Sequence, residues 1–271
     1  MSHMQATRED KNFDALAERF ERRVYGGLKG EIRLQVLWRD LCRAVPELTT
    51  QPIAKPLRVL DLGGGLGQFS VRLAELGHKV VFNDLSAEMA ERAQNTAKAQ
   101  GIEQLIQWHI GPYQTLAQER SQAQEQPFDL ILCHALLEWL AEPELLIPTL
   151  KKLLADNGIL SLCYYNPAAK IYRNLIRGNF DWLEQHASYQ SDAGSLTPNH
   201  PCTIEQVQAW LQENSLIPCS ETGIRVFSDY VVEKRGGHQS PEAVLKMELK
   251  YSELSPYKHL GRYQHILCKA V

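Results

Sequence analysis

Arg58-Val59-Leu60-Asp61-Leu62-Gly63-Gly64-Gly65-Leu66-Gly67 reads as a strand that ends in a glycine turn. The apolar run 57–60 supplies the strand, and the amphipathic segment 68–76 supplies a helix after the turn. Glycines at such a junction let the backbone approach a ligand that a Cβ would hold off. The pattern is Asp-x-Gly-x-Gly-x-Gly. A dinucleotide fingerprint, Gly-x-Gly-x-x-Gly, needs glycine at 68, where this chain has Gln68. A glycine triplet alone is weak, because any tight strand-to-helix turn can use one. The flanking pattern decides.

Outward from the turn the chain alternates strand and helix. Strands are predicted at 58–62, 79–83, 106–110, 128–133 and 158–164, with helices at 67–76, 87–100, near 113–120 and at 142–155. This spacing argues for right-handed crossovers and a parallel sheet. Upstream, residues 13–44 show helical periodicity interrupted at Tyr25-Gly26-Gly27. Beyond 165 the rhythm changes. Residues 167–181 read as a helix carrying basic and aromatic side chains, and 188–202 as a polar loop suited to a lid or recognition role. A helix follows from Thr203 to about 214, with Thr203 and Gln206 spaced for a capping box. A strand at 223–227, a helix at 241–253 and a closing strand at 262–269 complete the chain.

The expected fold is therefore α/β: a doubly wound, seven-stranded, mostly parallel, Rossmann-like sheet. N-terminal helices precede it, and a helical and loop insertion follows the fifth strand. Residues 1–50 read as an N-terminal helical cap and 51–271 as the main domain. Residues 166–202 form the expected acceptor-recognition insertion, and the whole acts as one domain.

Bulk properties exclude several classes. The 271 residues are 44% apolar and 23% charged, ordinary for a globular protein with a sizeable core. No apolar run reaches the roughly 18 residues that span a membrane. Residues 1–12 are polar and lack the apolar centre of a secretory signal, and Ser2-His3-Met4 reads as a vector remnant. The six cysteines are scattered without Cys-x-x-Cys spacing, so neither a metal site nor a redox pair is expected. They suit a reducing, cytoplasmic setting. The net charge of −3 advertises no nucleic-acid partner. Local basic groups remain at Arg19/Arg22/Arg23, Lys170/Arg173/Arg177 and Lys234/Arg235, and each reads equally as a solvated face.

Asp84 ends the second strand, 23 positions after Asp61. An acidic side chain there can accept hydrogen bonds from both ribose hydroxyls of an adenosine. It could equally cap the next helix together with Ser86. His134 follows the fourth strand, at the carboxyl ends where doubly wound sheets place ligands. A packing histidine is the competing reading. Tyr113 and Gln114, after the third strand, could meet an adenine edge or form a simple loop. Glu138 and Trp139 read as braces for the following helix.

The glycine spacing resembles that of S-adenosylmethionine-dependent methyltransferases of class I, and this resemblance implies that the last strand of the sheet runs antiparallel. The flanks resemble a narrower group. Asn12-Phe13-Asp14, Ala17-Glu18-Arg19-Phe20, Tyr25-Gly26, Lys29-Gly30-Glu31-Ile32-Arg33 and Leu37-Trp38-Arg39-Asp40-Leu41 are similar to the start of the bacterial tRNA 5-carboxymethoxyuridine methyltransferases. The likeness continues through Asp84-Leu85-Ser86-Ala87, residues 134–139 and 160–166, Gly178-Asn179-Phe180-Asp181 and Leu196-Thr197-Pro198. It resumes at residues 222–227, at Asp229-Tyr230 and at Leu260-Gly261-Arg262-Tyr263. Residues 167–177 and 185–195 depart from the family pattern, and the second stretch lacks its lysine run.

The resemblance implies methyl transfer from S-adenosylmethionine to the carboxylate of 5-carboxymethoxyuridine at the tRNA wobble position. The products are a methyl ester and S-adenosylhomocysteine. It also implies Arg33, Gly63, Gly64, Asp84, Tyr113, Gln114 and His134 as donor contacts, and Gly65 joins them as part of the turn. Tyr113 would act through its backbone. Arg33 suits the methionine carboxylate, since a guanidinium fork matches a carboxylate. No general base is expected, because a carboxylate is ionised at neutral pH. Candidates for holding the nucleotide are Arg173, Arg177, Arg225 and Arg262, with Tyr263 able to stack on an unpaired base of the anticodon loop. Tyr263 could equally be core. Other readings are a methyltransferase acting on a small acid or other metabolite, a non-catalytic S-adenosylmethionine-binding protein and, disfavoured by Gln68, an NAD-linked oxidoreductase.

Overall fold

The computed structural model describes residues 9–50, 53, 55–185, 196, 198 and 200–270. Most of the polar loop expected at 188–202 thus lies outside the described residues, as do Pro52 and most of the unusual stretch 185–195.

Helix α1 (Gly27–Ala44) precedes β1 (Arg58–Leu62), α2 (Gln68–Glu75), β2 (Lys79–Asp84), α3 (Ala87–Ala99) and β3 (Ile106–Ile110). Then come α4 (Tyr113–Gln122), β4 (Phe128–His134), α5 (Leu146–Leu153) and β5 (Leu154–Tyr165). The remaining elements are α6 (Pro167–Ile176), α7 (Phe180–Gln185), α8 (Ile204–Glu213), β6 (Leu216–Ile224), α9 (Pro241–Tyr251) and β7 (Tyr263–Ala270). The seven strands form one sheet in the order β3-β2-β1-β4-β5-β7-β6. Neighbours from β3 to β5 are parallel, and β7 runs antiparallel to both β5 and β6. This is the doubly wound arrangement expected, antiparallel last strand included.

Both faces of the sheet are covered, which is why its central strands are near-continuous apolar runs rather than alternating ones. On one face, Leu60, Leu62, Ile131, Leu160 and Leu162 pack against Leu116 of α4, Leu146 and Leu150 of α5, and Val207 and Leu211 of α8. On the other, Val59, Phe82, Leu130 and Leu132 meet Ile32, Val36 and Leu41 of α1, Phe69 and Leu73 of α2, and Ala90 and Ala93 of α3. Strand alternation sends successive residues to opposite layers, so two cores grow from one sheet.

The helix expected at 142–155 is a 3-10 turn over 143–145 followed by α5, and three further boundaries differ from expectation. The helix expected at 167–181 is two, α6 and α7, because residues 177–179 close a C-terminal turn. In it Gly178 N–H donates to Leu175 O and the Asn179 side-chain amide donates to Asn174 Oδ1 at 2.9 Å. Strand β5 starts four residues early, since Leu154 already pairs with Phe128 before a bulge. The strand expected at 223–227 spans Leu216–Ile224. It is a sheet edge, where Pro218 is tolerated and blurs the strand signal. It stops because Arg225 has φ +59 and because the N–H groups of Val226, Phe227 and Ser228 turn to the buried Glu248 carboxylate at 2.8, 3.3 and 2.8 Å. The capping box at the start of α8 is present: Thr203 accepts from Gln206 N and donates its own N–H to the Gln206 side chain.

Candidate active site

Strand order reverses between β1 and β4, and ligands of such sheets bind in the crevice at the carboxyl ends there. A cavity opens at that place. Gly63, Gly65, Asp84, Gly111, Tyr113 and His134 line it from the sheet side. The glycine turn forms its floor. Gly65 has φ +55, and its N–H donates to Asp84 Oδ2 at 2.8 Å. Gly64 does not line the cavity. A Cβ on it would come within 2.6 Å of the Phe82 ring, so its place in the pattern is one of close approach to β2.

Asp84 sits where both sequence readings place it, on the cavity and at the start of α3. It faces the cavity, and its Oδ1 accepts from Ser86 N–H at 2.8 Å while Ser86 itself caps α3. Burial pushes its carboxyl upward against the backbone N–H bonds from Ser86, Gly65 and Leu85 that hold it down. Below the turn, burial raises Asp61 to about 6, although the Ser70 hydroxyl donates to it at 2.7 Å.

His134 ends β4 on the cavity wall. Its Nε2 is 2.8 Å from Ser161 Oγ, and its Nδ1 is shielded without a hydrogen-bond partner among the described residues. Burial, reinforced by His265 and Arg33, drives its pKa well below the ordinary imidazole range, so the ring is neutral. Tyr113 lines the cavity, yet its side chain packs into the core under α4. Gln114 instead donates its amide to Asp10 Oδ2 at 3.1 Å.

The cavity roof was not legible beforehand. Residues 14–25 form a helical run of 3-10, α and π turns, and Phe20 and Tyr25 from this run line the cavity together with Phe13 just before it. Asp10 accepts from Ala141 N–H at 2.8 Å, and Asp14 accepts from the Ser86 hydroxyl at 2.6 Å. Phe13 packs edge-on to Trp139 with ring centroids 4.9 Å apart. Trp139 thus braces the N-terminal segment. Glu138 is buried and accepts from Tyr165 N–H at 3.2 Å, so it braces the end of β5 rather than the following helix. The only sequence signal for this roof was the aromatic spacing at 13, 20 and 25, which a packing helix also shows.

Arg33 departs from its expected place. It is buried in α1 and lies on a second cavity, over β5 and β7, and not on the first cavity's wall. Its guanidinium carbon sits 4.4 Å from the Tyr263 ring centroid. Burial opposes its charge, but Tyr263, Cys163, Tyr25 and Glu138 around it raise its pKa overall. It stands between the cavities, since Tyr25 and His134, both on the first cavity, feel its charge.

All five residues named for the nucleotide meet in this second cavity: Arg173, Arg177, Arg225, Arg262 and Tyr263. Arg19, Arg23, Lys29 and Lys234 join them, so nine cationic side chains face one acidic one, Asp229. Basic groups far apart in sequence thus converge, while Arg22, Lys170 and Arg235 do not line the cavity. Asp229 is shared by Arg225 at 3.4 Å and Lys29 at 3.7 Å. Arg173 has its pKa lowered by burial and by the like charges of Arg177 and Arg262. Tyr263 is half-buried with Arg33 and Arg225 over its ring, whereas Arg262 stacks on Tyr165 at 4.9 Å. Such a chamber suits a polyanion whose charge is concentrated.

Among the described residues, no group of three or more His, Cys, Asp or Glu side chains could hold a metal ion. No helix in them is long and apolar enough to cross a membrane.

Known proteins share this architecture and more. Residues 32–214 match the family model described as a methyltransferase domain. The tRNA 5-carboxymethoxyuridine methyltransferase of Escherichia coli K12 is 40% identical over 261 residues, covering 96% of this chain and 97% of that protein. The ubiquinone biosynthesis O-methyltransferase of Actinobacillus pleuropneumoniae is 30% identical over 121 residues, covering 45% of this chain and 51% of that protein. Among solved structures, magnesium protoporphyrin IX methyltransferase from Synechocystis with bound SAH has a TM-score of 0.57 at 16% identity, covering 96% of each chain. A SAM-dependent methyltransferase from Archaeoglobus fulgidus has a TM-score of 0.56 at 14% identity, covering 94% of this chain and 99% of that one. The last two matches speak for the fold alone. The family match and the nearly end-to-end 40% identity show that this chain belongs to the methyltransferase family, in the group that the E. coli tRNA 5-carboxymethoxyuridine methyltransferase represents.

Proposed function

We propose that this protein transfers the methyl group of S-adenosylmethionine to the carboxylate of 5-carboxymethoxyuridine in the anticodon loop of tRNA, giving the methyl ester. The observation that carries this reading is the 40% identity to the E. coli enzyme across 96% of the chain. The basic chamber beside the first cavity agrees with it, because an anticodon loop brings phosphates and unpaired bases to one place.

The first cavity fits the methyl donor on two counts. Its glycine turn leaves room where a Cβ would stand, and His134 Nδ1 is a shielded polar atom awaiting a partner. When bound, S-adenosylmethionine supplies a methyl carbon activated by its sulfonium. Asp84 holds the ribose hydroxyls, and the turn at 63–65 carries the methionine portion. Tyr113 and Gln114 border the adenine, the former through its backbone. Arg33, between the cavities, faces a carboxylate from either side. Residues 14–25 cover the site and exclude water. The acceptor carboxylate is already ionised, so no side chain has to remove a proton. The protein's task is alignment and electrostatics. The arginines of the second cavity hold phosphate and carboxylate. In this reading residues 1–50 act as a cap, residues 166–202 take part in acceptor recognition, and the enzyme works in the cytoplasm, where its tRNA is found.

Methyl label tests this directly. A methyl ester on tRNA releases its label as methanol under mild alkali, whereas methyl on a base ring or ribose is retained. Alkali-stable label on the tRNA overturns the carboxylate as acceptor. Label on free acids but none on tRNA overturns the RNA substrate.

A further inference from the structure

Behind the first cavity a chain of side chains runs through the sheet. Ser161 Oγ stands 2.8 Å from His134 Nε2 and 2.9 Å from His265 Nε2, and His265 Nδ1 stands 2.8 Å from Asp40 Oδ2. Ser161, His265 and Asp40 are all buried. The geometry follows from strand order: β4, β5 and β7 are adjacent, and α1 lays Asp40 against them. Asp40 is anchored from the other side, its Oδ1 accepting from Arg39 at 2.6 and 2.9 Å.

The proton count along this chain has a direction. Burial opposes ionisation of Asp40, but the bonds from His265 and Arg39 outweigh it and keep the carboxyl below its ordinary value. An ionised carboxylate only accepts, so His265 Nδ1 carries the proton between them. When His265 holds its proton on Nδ1 alone, its Nε2 accepts from the Ser161 hydroxyl. Ser161, having spent its one proton, accepts from His134 Nε2–H. That leaves His134 Nδ1 as a bare lone pair, and this is the atom left without a partner. The groups facing His134 are the Arg33 guanidinium from α1, His265 from β7 and the Phe69 ring from α2, whose centroid is 5.0 Å away.

We propose that Asp40, His265 and Ser161 are positioning residues that fix His134 as its Nε2–H tautomer and keep Nδ1 ready to accept a hydrogen bond from the α-ammonium of the bound methyl donor. Of the donor's groups, the ammonium alone is both cationic and rich in N–H. A lone pair attracts it and repels the neighbouring carboxylate, which is left to Arg33. The tautomer thereby sets which way round the methionine end sits. This inference rests on reading the first cavity as the donor site and is independent of the tRNA acceptor.

Full-length protein labelled with 15N-histidine, bound to S-adenosylhomocysteine, tests it. His134 is expected to show a protonated Nε2 and an unprotonated, hydrogen-bonded Nδ1. Ser161→Ala is expected to weaken S-adenosylhomocysteine roughly 10-fold or more, the scale of a hydrogen bond to a charged group. It should leave the affinity of the analogue lacking the α-amino group unchanged, and Ser161→Thr should restore tight binding. With methyl donor as the variable substrate, KM should rise more than kcat falls. A protonated Nδ1 in the wild-type complex overturns the proposal, whether or not the variants fold. Equal loss for both ligands also overturns it, because that pattern marks a merely structural role. The spectroscopic and binding readouts use no tRNA, so a wrong acceptor leaves this inference standing, while failure of S-adenosylhomocysteine to bind takes down the donor reading with it.

Discussion

Asp84 Oδ2 accepts the backbone N–H of Gly65 at 2.8 Å, which locks the end of β2 and the turn after β1 into a single wall of the first cavity. Neither partner is then free to shift alone, and a change at either is felt at the ligand. For Asp84→Ala we expect S-adenosylhomocysteine affinity to fall about 10- to 100-fold, the range for lost hydrogen bonds to a charged group. Calorimetric titration measures it, and an unchanged affinity removes Asp84 from the ribose.

Gly64→Ala tests the turn by sterics. The added methyl would meet the Phe82 ring at 2.6 Å and the Asp61 carboxyl carbon at 3.2 Å, both in packed surroundings. Overpacking of this kind costs about 1–3 kcal/mol. We expect a lower melting temperature and weaker donor binding together, followed by differential scanning fluorimetry with and without S-adenosylhomocysteine. Wild-type stability in the variant contradicts the close approach.

Arg177 is exposed on the rim of the basic chamber. Arg177→Ala should raise KM for tRNA and leave donor affinity unchanged. If Arg177 neutralises one phosphate of a single-stranded loop, the slope of log affinity against log salt should become shallower by about 0.7. A salt titration of tRNA binding reads this slope, and an identical slope in the variant removes Arg177 from the RNA contact.

Asp14 ties the cavity roof to the start of α3 through the Ser86 hydroxyl and the Glu88 N–H, at 2.6 and 3.1 Å. Asp14→Ala should loosen residues 10–25 and quicken release of S-adenosylhomocysteine severalfold, on the scale of a lost cap of about 1 kcal/mol. Stopped-flow release rates and hydrogen exchange of this segment check it. Unchanged rates would show that the segment covers the site without controlling it.

Burial raises the Glu138 carboxyl from an ordinary 4.5 to about 7, only partly offset by Arg33 and the Tyr165 N–H. The folded protein therefore binds this proton more tightly than the unfolded chain does. Its stabilising contribution is complete below pH 4.5 and is lost as pH rises to about 7. His78 and His134, whose values burial lowers, pull the other way by adding stability as pH rises. They are common to both proteins, so the difference between wild type and Glu138→Gln isolates the carboxyl. Denaturant unfolding across this range should show the wild type losing stability relative to the variant as pH rises. A flat difference contradicts the shift.

Much of this was legible in the sequence because it is local. The turn at 61–67, the strands at 58–62 and 106–110 and the capping box at Thr203 are written in adjacent residues. What escaped depends on distant partners. Strand β6 is defined by pairing with β7 and ended by the Glu248 carboxylate, and no feature of 216–227 alone announces either. Arg33 reads from the sequence as a guanidinium suited to a carboxylate, but only the crossing of α1 over β5 and β7 puts it between two cavities. The three basic groups read equally as solvated faces, and their convergence on one chamber is a product of topology. The roof over the first cavity is likewise a tertiary contact, with Asp10 and Asp14 reaching residues more than a hundred and about seventy positions away.

The most direct test of the central claim is the mass of the wobble nucleoside. tRNA that carries unesterified 5-carboxymethoxyuridine would be incubated with the enzyme and S-adenosylmethionine bearing a deuterated methyl group, then digested and analysed by mass spectrometry. The account predicts the 5-carboxymethoxyuridine methyl ester bearing the intact deuterated methyl, and none when the donor is omitted. Unaltered 5-carboxymethoxyuridine after many equivalents of active, donor-binding enzyme would contradict it.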